Sequence, residues 1–190
     1  MKIRQLPGVF GVCATVLAYS SIAEAALINR GGGLIYDATL DITWLYDANY
    51  ALTSGTDPDT TLDGRMILSD ANNWVTNLSY YDSVRDVTYT DWRLASMDVD
   101  LDGTIVDCSA VTAAVCQDNE YGHLYHVDGI TAGNPGLFEN IQGNVTAGGY
   151  WSGTSSGTTS SWAFQFSDGI SPSSDGSNLE RNNSSLLYPW

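Results

Sequence analysis

The chain has 190 residues, 22 acids against 7 bases, and 43% hydrophobic residues. That length can bury the core of one domain, and 6 tryptophans with 11 tyrosines exclude a disordered acidic tail. A formal charge of −15 excludes a phosphate-tracking nucleic-acid surface, which needs a basic stripe, and opposes electrostatic adhesion to anionic lipid.

Residues 1–25 have the pattern of an export signal. Lys2 and Arg4 precede an apolar run from Val9 to Tyr19, too short for a permanent span, and Ala23-Glu24-Ala25 supplies the small residues of a cleavage site. Pro7, Gly8 and Gly11 interrupt the alternative, a buried N-terminal helix. Cleavage after Ala25 removes Lys2, Arg4 and Glu24, leaving a lysine-free chain with 5 bases, 21 acids and a net charge of −16. Such a surface resists non-specific association and attracts divalent cations. Cys108 and Cys116 remain, and in an oxidising compartment they are expected to pair, stapling one loop. The expected location is secreted or cell-surface, with residues 26–190 as one domain.

Leu34-Ile35-Tyr36 and Ile42-Thr43-Trp44-Leu45 predict a hairpin of β-branched and aromatic residues. Residues 53–64 predict a loop. Leu68, Ala71, Trp74, Val75 and Leu78 share one helical face, with Ser69 or Asp70 as the cap. Asp82 to Thr90 is polar and loop-like, and Asp91-Trp92-Arg93-Leu94 resumes an ordered segment. Met97 to Gly136 forms a long acidic insert, with a short helix expected between Asp118 and Val127. Trp162, Phe164 and Phe166 alternate with Ala163, Gln165 and Ser167 as a strand does, and residues 152–161 and 167–185 predict loops. The fold class this predicts is α+β: one compact domain of short antiparallel strands with one or two helices.

Gly32-Gly33-Leu34-Ile35-Tyr36-Asp37, Ile42-Thr43-Trp44-Leu45 and Asp47-Ala48-Asn49-Tyr50-Ala51 open an ordered set of motifs. Asp63-Gly64-Arg65-Met66, Asp91-Trp92-Arg93-Leu94, Glu120 with His123-Leu124-Tyr125, Tyr150-Trp151-Ser152-Gly153-Thr154 and Trp162-Ala163-Phe164 continue it. Their order over residues 31–190 resembles the Lcl C-terminal domain family, named after the Legionella collagen-like adhesin, and especially its exported members with a C-terminal sorting anchor. The resemblance implies a C-type-lectin-like α+β domain on a secreted or surface protein, and surface attachment through sulfated polysaccharide. Ala95 stands where the family's Asp-Trp-Arg-Leu run usually continues with proline. Relatives usually run on past the equivalent of Pro189-Trp190, which implies a domain truncated at its C-terminal end. The net negative charge here speaks against a sulfated ligand.

Asp98-Val99-Asp100-Leu101-Asp102-Gly103 is the sharpest local pattern. Carboxylates at alternate positions followed by glycine can wrap oxygen ligands around Ca²⁺, with Asp107 as a further ligand in place of the missing distal Glu. A solvated acidic loop is the alternative. Glu120, His123 and His126 would share a helical face with the chemistry for zinc, but no His-Glu-x-x-His order is present. Tyr150 and Trp151, beside a Ser/Gly/Thr loop, are the candidates for an exposed face on which a ligand ring stacks; core packing is their alternative. No nucleophile elbow occurs, two histidines leave few bases for a serine, and no carboxylate pair stands out among the acids, so no catalytic residue is named.

The function these features predict is a non-enzymatic recognition or adhesion domain that binds an extracellular glycan or surface protein with calcium. The alternatives are a structural or assembly domain of a matrix or surface layer without a small ligand and, more remotely, an exported hydrolase.

Overall fold

Ile42-Thr43-Trp44-Leu45 is buried at all four positions, so this strand has a packed layer on each face. The computed structural model describes residues 27–58, 63–143, 149–171, 173–175, 181–182 and 185–187. Residues 1–25, expected to be an export signal, and Pro189-Trp190 lie outside the described residues. Strand β1 (Leu27–Gly31) leads into the expected hairpin, β2 (Leu34–Asp37) and β3 (Ile42–Leu45), paired Leu34 to Leu45 and Ile35 to Trp44. Alternation along each strand sends Leu34 and Leu45 to one side, and Ile35 and Trp44 to the other.

A short helix α1 (Tyr50–Thr53) and strand β4 (Arg65–Met66) precede α2 (Leu68–Asn77), the helix predicted from its apolar stripe. Ala71, Trp74 and Val75 are its buried residues. The Ile67 cap position offers no side-chain acceptor, so neither Ser69 nor Asp70 caps the start: both are already helical. Asp82 to Thr90 is not a loop but part of a two-stranded hairpin, β5 (Tyr80–Asp82) and β6 (Val87–Tyr89). Its exposed Tyr81, Val84 and Val87 explain why no apolar alternation announced it. Strand β7 (Trp92–Leu94) follows, then α3 (Ala113–Cys116) and α4 (Glu120–His126), the latter capped by Asn119, whose side chain accepts from the Gly122 N–H.

The last third builds two sheet centres. Strands β8 (Tyr150–Ser155) and β9 (Ser160–Phe164) form an antiparallel pair with a register shift between Trp151 and Ser155. The region 167–185, expected to be a loop, contributes β10 (Ser173–Asp175) and β11 (Arg181–Asn182), and β12 (Ser185–Leu187) begins at its last residue. One sheet runs β1-β2-β3-β12-β7 and the other β10-β9-β8-β11-β4. The chain's last strands thus fill interior places in both sheets, β12 between β3 and β7 and β11 between β8 and β4. This is a compact α+β domain, as predicted.

Two apolar clusters result. One gathers Ile35, Trp44, Met97, Tyr121, Tyr150, Phe164 and Phe166; the other packs Trp74 and Val75 of α2 against Leu34, Leu45, Trp92, Trp151 and Ala163. Tyr150 and Trp151, proposed as an exposed ligand face, are core residues at 1% and 0% exposure. Their polar tips are satisfied inside: the Trp151 indole N–H donates to the Met66 carbonyl at 2.9 Å, and the Tyr150 hydroxyl accepts the Gln142 N–H at 2.8 Å. Burial pushes the Tyr150 phenol pKa well up from its ordinary value.

Candidate functional site

The acidic loop begins where β7 is pinned to α4. Glu120, almost wholly buried, takes both amino groups of the Arg93 guanidinium at 2.8 and 2.5 Å and the Ser96 N–H at 2.6 Å. The Glu120 N–H in turn donates to the Ser96 carbonyl. This bidentate, charge-assisted clamp anchors the next residues to the core, where Met97 is fully buried. Arg93 thus pairs with an acid 27 residues away in the chain.

Beyond the clamp the chain turns tightly. Leu101 and Gly103 both adopt left-handed backbone, at φ 61° and 84°. Glycine takes that conformation without cost, whereas Leu101 does so against steric preference, with its side chain 83% exposed. Successive carboxylates hold the turn. Asp98, 6% exposed, accepts the Asp102 N–H on one oxygen and the Gly103 N–H on the other, both at 3.0 Å. Asp100 also accepts from the Asp102 N–H, and Asp102 accepts from the Thr104 N–H. From outside the loop, Asp118 accepts the Val99 and Asp100 N–H groups at 2.7 and 2.9 Å.

Asp98, Asp100 and Asp118 each present a carboxylate oxygen within 4.8 Å of the others. These three residues could hold a metal ion. Each oxygen keeps lone pairs beyond those accepting backbone N–H groups, so the hydrogen bonds fix the carboxylates without exhausting them. Oxygen-only donors suit a hard cation, and without one the three charges repel.

The set differs from the sequence-based one. Asp98 and Asp100 are in it. Asp102 and Asp107 are outside the group, and one carboxylate oxygen of Asp107 accepts both the N–H and the hydroxyl of Ser109. Those bonds hold the Asp107 carboxyl below its usual range. Asp118 carries no mark in the local pattern. Only the docking of α3 and the start of α4 against the loop brings it in.

Cys108 and Cys116 form the expected disulfide across the base of the insert. Residue 122 faces Cys108, and a Cβ there would stand 2.7 Å from its sulfur, so glycine is what lets the bridge lie on α4.

Glu120, His123 and His126 do not converge. Glu120 is committed to Arg93, and His126 lies on the surface. His123 is fully buried, both ring nitrogens lack a hydrogen-bond partner, and Nε2 is 3.9 Å from an Asp128 oxygen. Burial lowers the His123 pKa and raises that of Asp128 to about 7.

A separate cleft of about 460 Å³ runs beside the disulfide, lined by residues of the Ile105–Ser109 segment, α4, β9 and the Asp168–Ser171 turn. Trp162, on the predicted alternating strand, is only half-buried and lines this cleft. Among the described residues no helix is long and apolar enough to cross a membrane. Comparisons with family models, curated proteins and solved structures find no match, so the resemblance to the Lcl C-terminal domain family and its C-type-lectin-like implication rest on the ordered motifs alone.

Proposed function

We propose that this chain is an exported, non-enzymatic recognition domain whose acidic loop is organised by Ca²⁺ and which engages extracellular glycan. The convergence of Asp98, Asp100 and Asp118 from two segments carries this reading. Calcium fits the donor chemistry better than zinc, which prefers nitrogen and sulfur, and better than magnesium, which dehydrates reluctantly. The disulfide is compatible with an oxidising, extracellular setting, and the resemblance of the ordered motifs to a surface-adhesin domain supports the same reading. The excess of acids directs the glycan choice away from sulfated chains.

The test is a glycan array probed with the purified protein in millimolar calcium and again in excess chelator, alongside Asp118→Asn. Binding to uncharged glycans in calcium is expected, with loss in chelator and in the variant. Calcium binding without any glycan signal would favour a structural domain of a surface layer, and equal glycan binding with and without calcium would remove the metal from the reading.

A further inference from the structure

Trp162 and Phe164 lie on the cleft side of β9, and only Trp162 keeps part of its ring uncovered. Two loops border them. One is the segment 105–109, which carries Asp107 and enters the disulfide at Cys108, where the bridge lies on α4 at Gly122; the Asn119 side chain ties it by donating to the Val106 carbonyl at 3.1 Å. The other is the turn that carries Asp168, whose carboxylate accepts the Ile170 N–H at 3.2 Å and whose Gly169 (φ 77°) lies against the Tyr125 ring. His126, at the end of α4, completes the border.

We infer that this cleft is the glycan-binding site and that it takes an uncharged pyranose, stacked by its C–H face on Trp162 and hydrogen-bonded through its hydroxyls to Asp107 and Asp168. The volume falls in the range of about 300–1,000 Å³ typical of small-ligand sites. An indole beside fixed acceptors matches a ring that is apolar on its face and rich in hydroxyl donors on its edge. Carboxylates from both bordering loops repel sulfate and uronate groups, so the site selects neutral sugars over the anionic polysaccharides that the net charge already disfavours. Trp162 takes the stacking role once assigned to Tyr150 and Trp151, which have no surface to offer. This rests on the glycan-recognition reading and adds the place and the sugar class. The acidic loop continues directly into the Asp107 wall, so a cation bound at Asp98 and Asp118 would steady one side of the cleft without touching the sugar.

The experiment titrates the whole protein, in calcium, with uncharged hexasaccharides of glucose, mannose, galactose and N-acetylglucosamine, reading heat and tryptophan fluorescence. Heparin serves as the sulfated probe and a lysine-rich peptide as the cationic one. At least one neutral hexamer is expected to bind, with heparin inert. Trp162→Leu, which keeps apolar volume where the residue packs on the core, is expected to weaken that binding about tenfold or more and to leave the calcium-induced thermal shift intact. Asp168→Asn, on an exposed turn, is expected to weaken it severalfold without changing stability. Glycan binding that survives Trp162→Leu and Asp168→Asn would overturn the cleft assignment while leaving glycan recognition standing. Failure of every hexamer, or binding of the lysine-rich peptide alone, would overturn both.

Discussion

Two ionisable groups of the interior, His123 and Asp128, are displaced from their ordinary titration ranges in opposite senses. His123 has no hydrogen-bond partner for either nitrogen, and one oxygen of Asp128 and one of Asp37 are likewise buried and unbonded. Asp37 spends its other oxygen on the Thr39 and Leu40 N–H groups, and its charge acts on both His123 and Asp128. Below pH 6.5 the unfolded chain protonates His123 while the folded one resists, so this residue's contribution to stability falls as pH drops. Asp128 holds its proton in the folded state up to about pH 7 and releases it near the usual carboxylate value when unfolded, so its contribution falls as pH rises through that window. As pH falls below 6.5 the two slopes oppose each other, because folding disfavours a proton on the histidine and favours one on the acid. Asp128→Asn, left with the histidine slope alone, is therefore expected to lose stability as pH falls below 6.5, by up to ~1.4 kcal/mol per pH unit, and His123→Gln, left with the acid's slope alone, to lose it as pH rises from about 4 to 7. Urea midpoints across this range measure both. Parallel profiles for Asp128→Asn and wild type would refute the opposed titrations.

Among the elements, the insert between β7 and α4 has few apolar anchors of its own: Val99, Leu101, Val111 and Val115 are exposed. Its order comes from the Glu120 clamp, which ties its two ends together through Arg93 and Ser96, and from the Cys108–Cys116 bridge in its second half. Replacing both cysteines by serine is expected to cost roughly 2–3 kcal/mol, the entropy of one short closed loop, while the two apolar clusters persist. Thermal unfolding and near-ultraviolet dichroism of the aromatic core measure this. A collapse of the aromatic signal at room temperature would show the bridge to be a fastener of the whole fold. Elements that bury one stripe were legible in the sequence. Ala71, Trp74 and Val75 announced α2, and the β-branched run at Ile42 announced β3. The β5–β6 hairpin was not, since both its faces are largely wet, nor were β10, β11 and β12, whose Ser- and Asn-rich segments become strands by filling places left between β3 and β7 or extending β9 and β8. The loop Asp98–Gly103 could be read from its alternating carboxylates, but Asp118 could not, because its place depends on docking. Periodicity placed Trp162 on an alternating strand yet could not say which face a second layer would leave open.

At the scale of the molecule, charge dominates. The described ion pairs join Arg65 to Asp63, Arg85 to Asp82 and Arg93 to Glu120, and they neutralise only a small part of the 22 acids. The remaining negative charge repels itself, more in the folded chain than in the expanded one, so simple salt should stabilise the protein. Raising sodium chloride from about 0.01 to 0.15 M shortens the screening length from about 30 to 8 Å and is expected to raise the melting temperature with no site involved. Calcium must therefore be judged at matched ionic strength. A site of Kd ~10⁻⁴ M, ordinary for an extracellular module, contributes about 2 kcal/mol at 2 mM calcium, a rise of roughly 4–8 °C. Magnesium at the same concentration and ionic strength should give only the screening part, and Asp118→Asn should keep the response to sodium chloride while losing the excess due to calcium. Differential scanning calorimetry of the two proteins in the three salts separates these contributions. Equal shifts with calcium and magnesium in the wild-type protein would reduce Asp98, Asp100 and Asp118 to one patch in a diffuse negative field.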